Sequence, residues 1–275
     1  MRFGRDLAVM AAVALAVYVA WHLLQPGRYA LQDQDHDEIM TSVTASAPQR
    51  TISVLFVGNS LTFVHDVPAM LVNIASADPQ NTTQISVQAV TRGGASLDQM
   101  LAQTNAADWV RSHHPDFVVL QERSRWYDGA EDYARQDLSD WMDALRPIGA
   151  AALLFEVWAD GDGSDSYTNS ASVAFGHTPK QDAEIAADKS QTLAQEYHLS
   201  LVRVGEAFER AREMSGAPDV YGPDHHHASA AGAYLAALVF YQHLTGRTGA
   251  ESTYRPWGVG ADDKVKLVHA ASGGG

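Results

Sequence analysis

A serine near the start of a long sequence, an aspartate three residues before a histidine near its end, and glycine and amide groups between them could together carry acyl-transfer chemistry. Ser60 lies near the end of the stretch Val54-Leu55-Phe56-Val57-Gly58-Asn59-Ser60-Leu61, an apolar run that leads into a turn sequence. Gly58 permits a tight turn and Asn59 tolerates unusual backbone angles, so Ser60 is expected to expose its hydroxyl near the start of a helix. The same tripeptide also reads as an everyday turn with Ser60 as a helix cap. The second group is Asp224-His225-His226-His227. With this spacing on a loop, Asp224 can accept a hydrogen bond from Nδ1–H of His227 and leave Nε2 free to act as a base. An N-capping Asp224 with solvated histidines is the plainer alternative. Three adjacent histidines cannot all point one way, so no metal site is assigned to them.

Two further segments offer the donors that a tetrahedral oxyanion requires. Thr91-Arg92-Gly93-Gly94-Ala95-Ser96 supplies a glycine N–H with no side chain in the way, and Leu120-Gln121-Glu122 places an amide after an apolar run. The expected oxyanion hole is the N–H of Ser60, the N–H of Gly94 and the carboxamide of Gln121. Gly93-Gly94 also reads as a plain loop, and Gln121 as a residue satisfying a neighbouring backbone group.

These residues need a scaffold that brings loops together. Short aliphatic and β-branched runs at 52–57, 84–90, 116–120, 151–157 and 199–204 read as strands, and Phe117-Val118-Val119-Leu120 as one buried on both faces. Segments of helical period follow at 67–77, 97–111, 133–146, 179–197, 205–214 and 229–244. The alternation predicts an α/β fold, a three-layer α/β/α sandwich around a parallel sheet of about five strands. In such a sheet the ligand site lies beyond the carboxyl ends of the strands, where all the candidate residues fall.

Outside this domain, assigned to residues 51–246, the sequence changes character. Arg2 and Arg5 precede a run from Leu7 to Leu24 without a charged residue, which reads as an N-terminal signal anchor or signal peptide over 1–25. No clear Ala-x-Ala cleavage site follows it. Residues 26–50 read as a flexible tether, and 247–275 as an irregular tail. The expected setting is extracytoplasmic, with the membrane contacted through the N-terminal helix. Nineteen Lys and Arg against 33 Asp and Glu give a net charge of −14 without a basic cluster, which argues against nucleic acid as a partner. The absence of cysteine removes thiol nucleophiles and Cys-ligated metals.

Taken in order, the segments resemble the SGNH/GDSL hydrolase superfamily. Its blocks match at Gly58-Asn59-Ser60-Leu61, at the Gly94 segment, at Gln121, and at Asp224-x-x-His227-Ala228-Ser229-Ala230-Ala231-Gly232. Asn59 stands where the family usually has Asp, and Leu120-Gln121-Glu122-Arg123-Ser124 replaces Gly-x-Asn-Asp. It looks like the Gln-Gly-Glu-Ser variant of acetylesterase-type branches, with Arg123 as the competing alignment for Gln121. The resemblance implies a serine esterase acting on small-acyl, often acetyl, esters of carbohydrates or small molecules, with Ser60, His227 and Asp224 as its triad and no cofactor or metal. The alternatives are an envelope polysaccharide O-acetyltransferase with the same triad, or a non-catalytic carbohydrate-binding domain. Trp126, Tyr127 and Trp158 read either as a sugar-stacking wall or as loop anchors. The Gly/Asp/Ser-rich segment 160–172 resembles a calcium loop only superficially, lacking its terminal Glu.

Overall fold

The computed structural model describes residues 38–39, 50–168 and 176–273. The anchor and signal assignment for 1–25 lies outside these residues, as do 169–172 of the segment rich in Gly, Asp and Ser. Among the described residues no helix is long and apolar enough to cross a membrane.

Five strands form a parallel sheet: β2 (Arg50–Gly58), β3 (Thr83–Thr91), β4 (Phe117–Leu120), β5 (Ala151–Phe155) and β6 (Ser200–Val202). The spatial order is β3-β2-β4-β5-β6, and the two-residue strand β1 (Glu38–Ile39) pairs antiparallel on the outer edge of β3. Part of the segment expected to be only a tether thus extends the sheet. Leu55, Phe56, Val57 and the last three residues of β4 are fully or almost fully buried, as continuous apolar runs covered on both faces must be.

The helices are α1 (Ser60–Phe63), α2 (Val67–Ala77), α3 (Leu97–Gln103), α4 (Ala106–His113), α5 (Glu131–Leu145), α6 (Asp165–Thr168), α7 (Pro179–Glu196), α8 (Val204–Glu213), α9 (Ala230–Thr245) and α10 (Ala261–Ala271). α2 packs with α9, and α3 with α5. The crossover from β2 to β3 and the crossover from β3 back past β2 to β4 run in opposite directions along the sheet, so right-handed connections place these two pairs on opposite faces. α9 is apolar almost all round and lies under the sheet, where Phe240 meets Phe56 and Phe155 edge-on at ring-centroid distances of 5.0 and 5.1 Å. Each such buried side chain contributes about 2 kcal/mol through burial alone.

Two expectations are corrected here. The helix expected over 97–111 is broken between α3 and α4, because the Thr104 hydroxyl bonds back to the Met100 carbonyl and then receives the N–H of Ala106. This local side-chain competition ends one helix and starts the next. The supposedly irregular tail contains α10, which packs on α8 and α9 and fully buries Leu267.

Candidate active site

The chain leaves β2 for β3 on one side and returns to β4 on the other, so the carboxyl ends of β2 and β4 flank the switch point of the strand order. All the expected residues lie at this end, Ser60 at the start of α1 and the others on loops. Backbone bonds join these loops directly: Arg92 N–H reaches the Gly58 carbonyl at 3.1 Å and Gln121 N–H the Val57 carbonyl at 2.9 Å.

Ser60 is the first residue of α1 and Asn59 is its cap. Asn59 has φ −128° and ψ −152°, ordinary extended backbone, so its side chain rather than an unusual backbone explains the residue. Its Oδ1 accepts the Leu61 N–H at 3.1 Å while its Nδ2 donates to the Ala95 carbonyl at 2.9 Å. One buried amide therefore caps the serine-bearing helix and ties it to the Gly94 loop. An aspartate could make the first bond but not the second.

Ser60 Oγ lies 2.9 Å from His227 Nε2, and His227 Nδ1 lies 2.6 Å from Asp224 Oδ2. Serine and histidine are 167 positions apart in the chain. The loop carrying the pair is closed on itself: Asp224 Oδ1 accepts the N–H groups of His226 and His227 at 3.1 and 3.0 Å, and Gly222 N–H reaches the His227 carbonyl at 2.7 Å. Burial pushes the Asp224 carboxyl upward, but the hydrogen bonds from the His227 ring and these two amides outweigh it and hold its pKa below the ordinary value. Asp224 is thus a carboxylate whenever the neighbouring imidazole would need orienting.

Gly94 has φ +69° and is exposed on its loop. Among the described residues, neither its N–H nor that of Ser60 has a hydrogen-bond acceptor. Gln121 is placed differently from expectation. It is fully buried, its Oε1 accepts Asn59 N–H at 2.9 Å and Thr62 Oγ at 3.0 Å, and its Nε2 donates to the Glu122 carbonyl. An obligatory donor, the Asn59 N–H, fixes which end of the amide is oxygen. Gln121 therefore lies beneath the serine turn instead of opening onto the crevice, and its nitrogen is not presented to a ligand. Gly58 makes room for it, since a Cβ there would stand 2.5 Å from Gln121 Oε1 and 2.7 Å from Thr62 Oγ1. Arg123, the competing alignment, is exposed.

The three aromatic residues considered as a sugar wall are buried: Trp126, Tyr127 and Trp158 are 3%, 1% and 2% exposed. Trp158 stacks on Phe208 at 4.2 Å and donates Nε1 to the His226 carbonyl at 2.9 Å, which makes it an anchor of the histidine loop.

Residues that the motif reading did not single out surround this loop. Asp160 is 3% exposed and accepts from His226 Nδ1 at 2.7 Å and from Ser164 and Ser166. Burial raises the Asp160 pKa, but these partners bring it below the ordinary value, and the bond to Asp160 raises that of His226. Arg125 lies between Asp128, Asp160 and Asp182. Asp128, His177 and Asp182 bring potential ligand atoms within 4.8 Å of one another, but the Arg125 guanidinium already contacts both carboxylates, so the cation of this cluster is a side chain. No spacing rule signals such a cluster, because its members come from separate loops and helices.

No family model matches the sequence, and no curated protein does either. Solved structures do match. A putative SGNH hydrolase from Slackia heliotrinireducens is 26% identical with a TM-score of 0.57, covering 70% of this chain and 99% of its own. The chain has the SGNH hydrolase fold. A DUF4886 family protein from Bacteroides uniformis aligns with a TM-score of 0.70 at 19% identity, over 81% of this chain and 94% of its own. An acetylxylan esterase from Geobacillus stearothermophilus aligns at 0.52 and 17% identity, over 70% of this chain and 94% of its own. For that esterase, serine-to-alanine and histidine-to-alanine variants are described as catalytic mutants. At the level of the SGNH fold, the 26% identical neighbour supports a hydrolase.

Proposed function

We propose that the protein hydrolyses small-acyl esters, acetyl esters of carbohydrates foremost, through Ser60, His227 and Asp224. The observation that carries this reading is the continuous Ser60–His227–Asp224 hydrogen-bond chain, with contacts of 2.9 and 2.6 Å, at the sheet's switch point. The SGNH fold of the neighbours, and the catalytic mutants of one of them at a serine and a histidine, support it.

His227 Nε2 takes the Ser60 proton as Oγ bonds to the ester carbonyl carbon. The carbonyl oxygen becomes an oxyanion, which the N–H groups of Ser60 and Gly94 receive. The carbon–oxygen bond to the alcohol then breaks, and the imidazolium returns the proton to the leaving alkoxide. Water repeats the sequence on the acyl-enzyme, with His227 again as base, releasing the acid and restoring Ser60. Asp224 remains ionised, holds the ring and stabilises its charged form. Gln121 acts beneath the turn, fixing Asn59 and so the direction of Ser60. With residues 1–25 as an N-terminal anchor, this chemistry would take place outside the cytoplasm.

A fluorophosphonate probe with native protein and Ser60→Ala, together with acetate release from acetylated polysaccharides, tests the reading. Labelling and acetate release by the native protein, both absent in the variant, are expected. Labelling that survives Ser60→Ala would remove Ser60 from the role.

A further inference from the structure

Four consecutive residues after β5 each bond to the histidine loop. Trp158 Nε1 donates to the His226 carbonyl at 2.9 Å, and the Ala159 carbonyl accepts the Tyr221 hydroxyl at 2.9 Å. Asp160 Oδ1 accepts from His226 Nδ1 at 2.7 Å, and Gly161 N–H reaches the His225 carbonyl at 2.7 Å. Asp224 does not supply this anchorage. It lies three residues before His227 on the same loop and is half-exposed, so it fixes the imidazole relative to the loop and not relative to Ser60. The approach of His227 Nε2 to Ser60 Oγ therefore depends on what seats the loop against the sheet: α9 at its far end, and these four bonds ahead of His227.

Of the four, only the Asp160–His226 bond joins two side chains. Asp160 is 3% exposed and is a carboxylate there, because the Ser164 and Ser166 hydroxyls donate to its Oδ2 and Arg125 Nη1 lies 3.6 Å from the same oxygen. A carboxylate only accepts, so His226 Nδ1 carries the proton of this bond, in the neutral as in the charged ring. The His226 ring in turn stands edge-to-face with the His227 ring, their centroids 4.7 Å apart and their planes at 81°. The ring that Asp160 holds is thus the one the His227 imidazole rests against.

We propose that Asp160 and His226 are positioning residues of the acyl-transfer site, their bond holding the His226 ring beside His227 so that Nε2 stays directed at Ser60 Oγ. This rests on the Ser60–His227–Asp224 reading. Two carboxylates then serve two adjacent histidines: Asp224 orients His227 within the loop, and Asp160, from the segment after β5, seats that loop against the sheet. Proton transfer requires Nε2 within hydrogen-bond reach of Oγ, and a displacement of about 1 Å at a reacting group can cost about 10²-fold in rate.

The experiment compares kcat and KM on p-nitrophenyl acetate, together with urea midpoints, for the native protein, Asp160→Ala, Asp160→Asn and His226→Phe, with Ser60→Ala and Leu267→Ala as controls. Asparagine keeps an acceptor for His226 Nδ1–H while its amide donates to the two serine hydroxyls. Phenylalanine keeps a ring beside His227 but not the bond. We expect Asp160→Ala and His226→Phe to lose tenfold or more in kcat with KM within twofold of native, and Asp160→Asn to stay within threefold of native kcat. Leu267→Ala, which lowers the urea midpoint without removing any bond of the loop, should keep native kcat. Native kcat in either Asp160→Ala or His226→Phe overturns the proposal, as does an equal loss in Asp160→Ala and Asp160→Asn, or a loss in Leu267→Ala that matches theirs. If Ser60→Ala stays active, the triad reading is what fails; if it is inactive while the Asp160 and His226 variants behave like the native protein, only the positioning role fails. Should Asp160→Ala not fold, His226→Phe measured against the native protein still decides.

Discussion

Gln121 Oε1 accepts the backbone N–H of Asn59 at 2.9 Å, so the residue before the nucleophile is held by the neighbouring strand's end and not by its own. The direction of the Ser60 hydroxyl depends on a buried amide that touches no substrate.

Replacing Gly58 tests that dependence. Gly58→Ala puts a methyl group 2.5 Å from Gln121 Oε1 and 2.7 Å from Thr62 Oγ1, both fixed by hydrogen bonds in the core. Overpacking of this kind costs about 1–3 kcal/mol. A lowered urea midpoint together with a reduced kcat is expected; an unchanged kcat would mean that the turn does not rely on Gln121.

Asn59→Asp is nearly isosteric and restores the residue usual in the superfamily. It keeps the cap on Leu61 but sets a carboxylate oxygen against the Ala95 carbonyl where Nδ2 now donates at 2.9 Å. A loss of about 1–3 kcal/mol in stability is expected from the broken buried bond, measured by chemical denaturation, with a larger fall in kcat than in probe binding.

Asp224→Asn preserves shape but offers His227 an amide that no longer stabilises the charged imidazole. A fall in kcat on the order of 10⁴-fold is expected, with fluorophosphonate labelling slowed in parallel while circular dichroism stays native. Retained activity would show that the half-exposed Asp224 is dispensable.

Glu156 gives a stability prediction with a definite sign. It is buried just after β5, where Oε1 accepts the Glu206 N–H at 2.9 Å and Oε2 has no partner among the described residues, and burial followed by the Glu206 charge raises its pKa to about 8. The folded chain therefore keeps a proton that the unfolded chain has released above the ordinary glutamate range. Stability should fall as pH rises from about 4.5 to about 8 and level off beyond. Glu156→Gln should flatten this slope and raise the melting temperature at pH 8 relative to the native protein; a steeper slope would contradict the protonated state.

Leu267→Ala addresses the end of the chain. The side chain is fully buried in α10, and emptying such a site costs about 2–5 kcal/mol. A drop in melting temperature of the whole domain, in one transition, is expected if α10 belongs to the core.

Much of this arrangement was legible in the sequence because its signals are local. Apolar runs of four to six residues gave the strands, and Asp224-x-x-His227 and Gly58-Asn59-Ser60 lie within single loops whose position follows from the parallel sheet. What escaped depends on contacts between distant segments. Gln121 is chemically suited to an oxyanion hole, and only its burial under Asn59 turns it inward. Trp126, Tyr127 and Trp158 carry the same composition signal whether they face a sugar or the core. The α10 sequence, Ala-Asp-Asp-Lys-Val-Lys-Leu-Val-His-Ala-Ala, exposes Val265 and buries Leu267, so its apolar stripe is too thin to stand out until α8 and α9 are there to receive it.

Ser60 and His227 lie 167 positions apart, and the helix that follows the histidine is the one buried most completely beneath the sheet. A chain made or exported from its N-terminus therefore presents its serine long before its base exists. Until α9 docks, Ser60 is an ordinary alcohol, and a late element of the core, followed only by α10, is also the one that arms the site. Reactivity is in this way tied to completion of the fold, which keeps a half-made domain chemically silent.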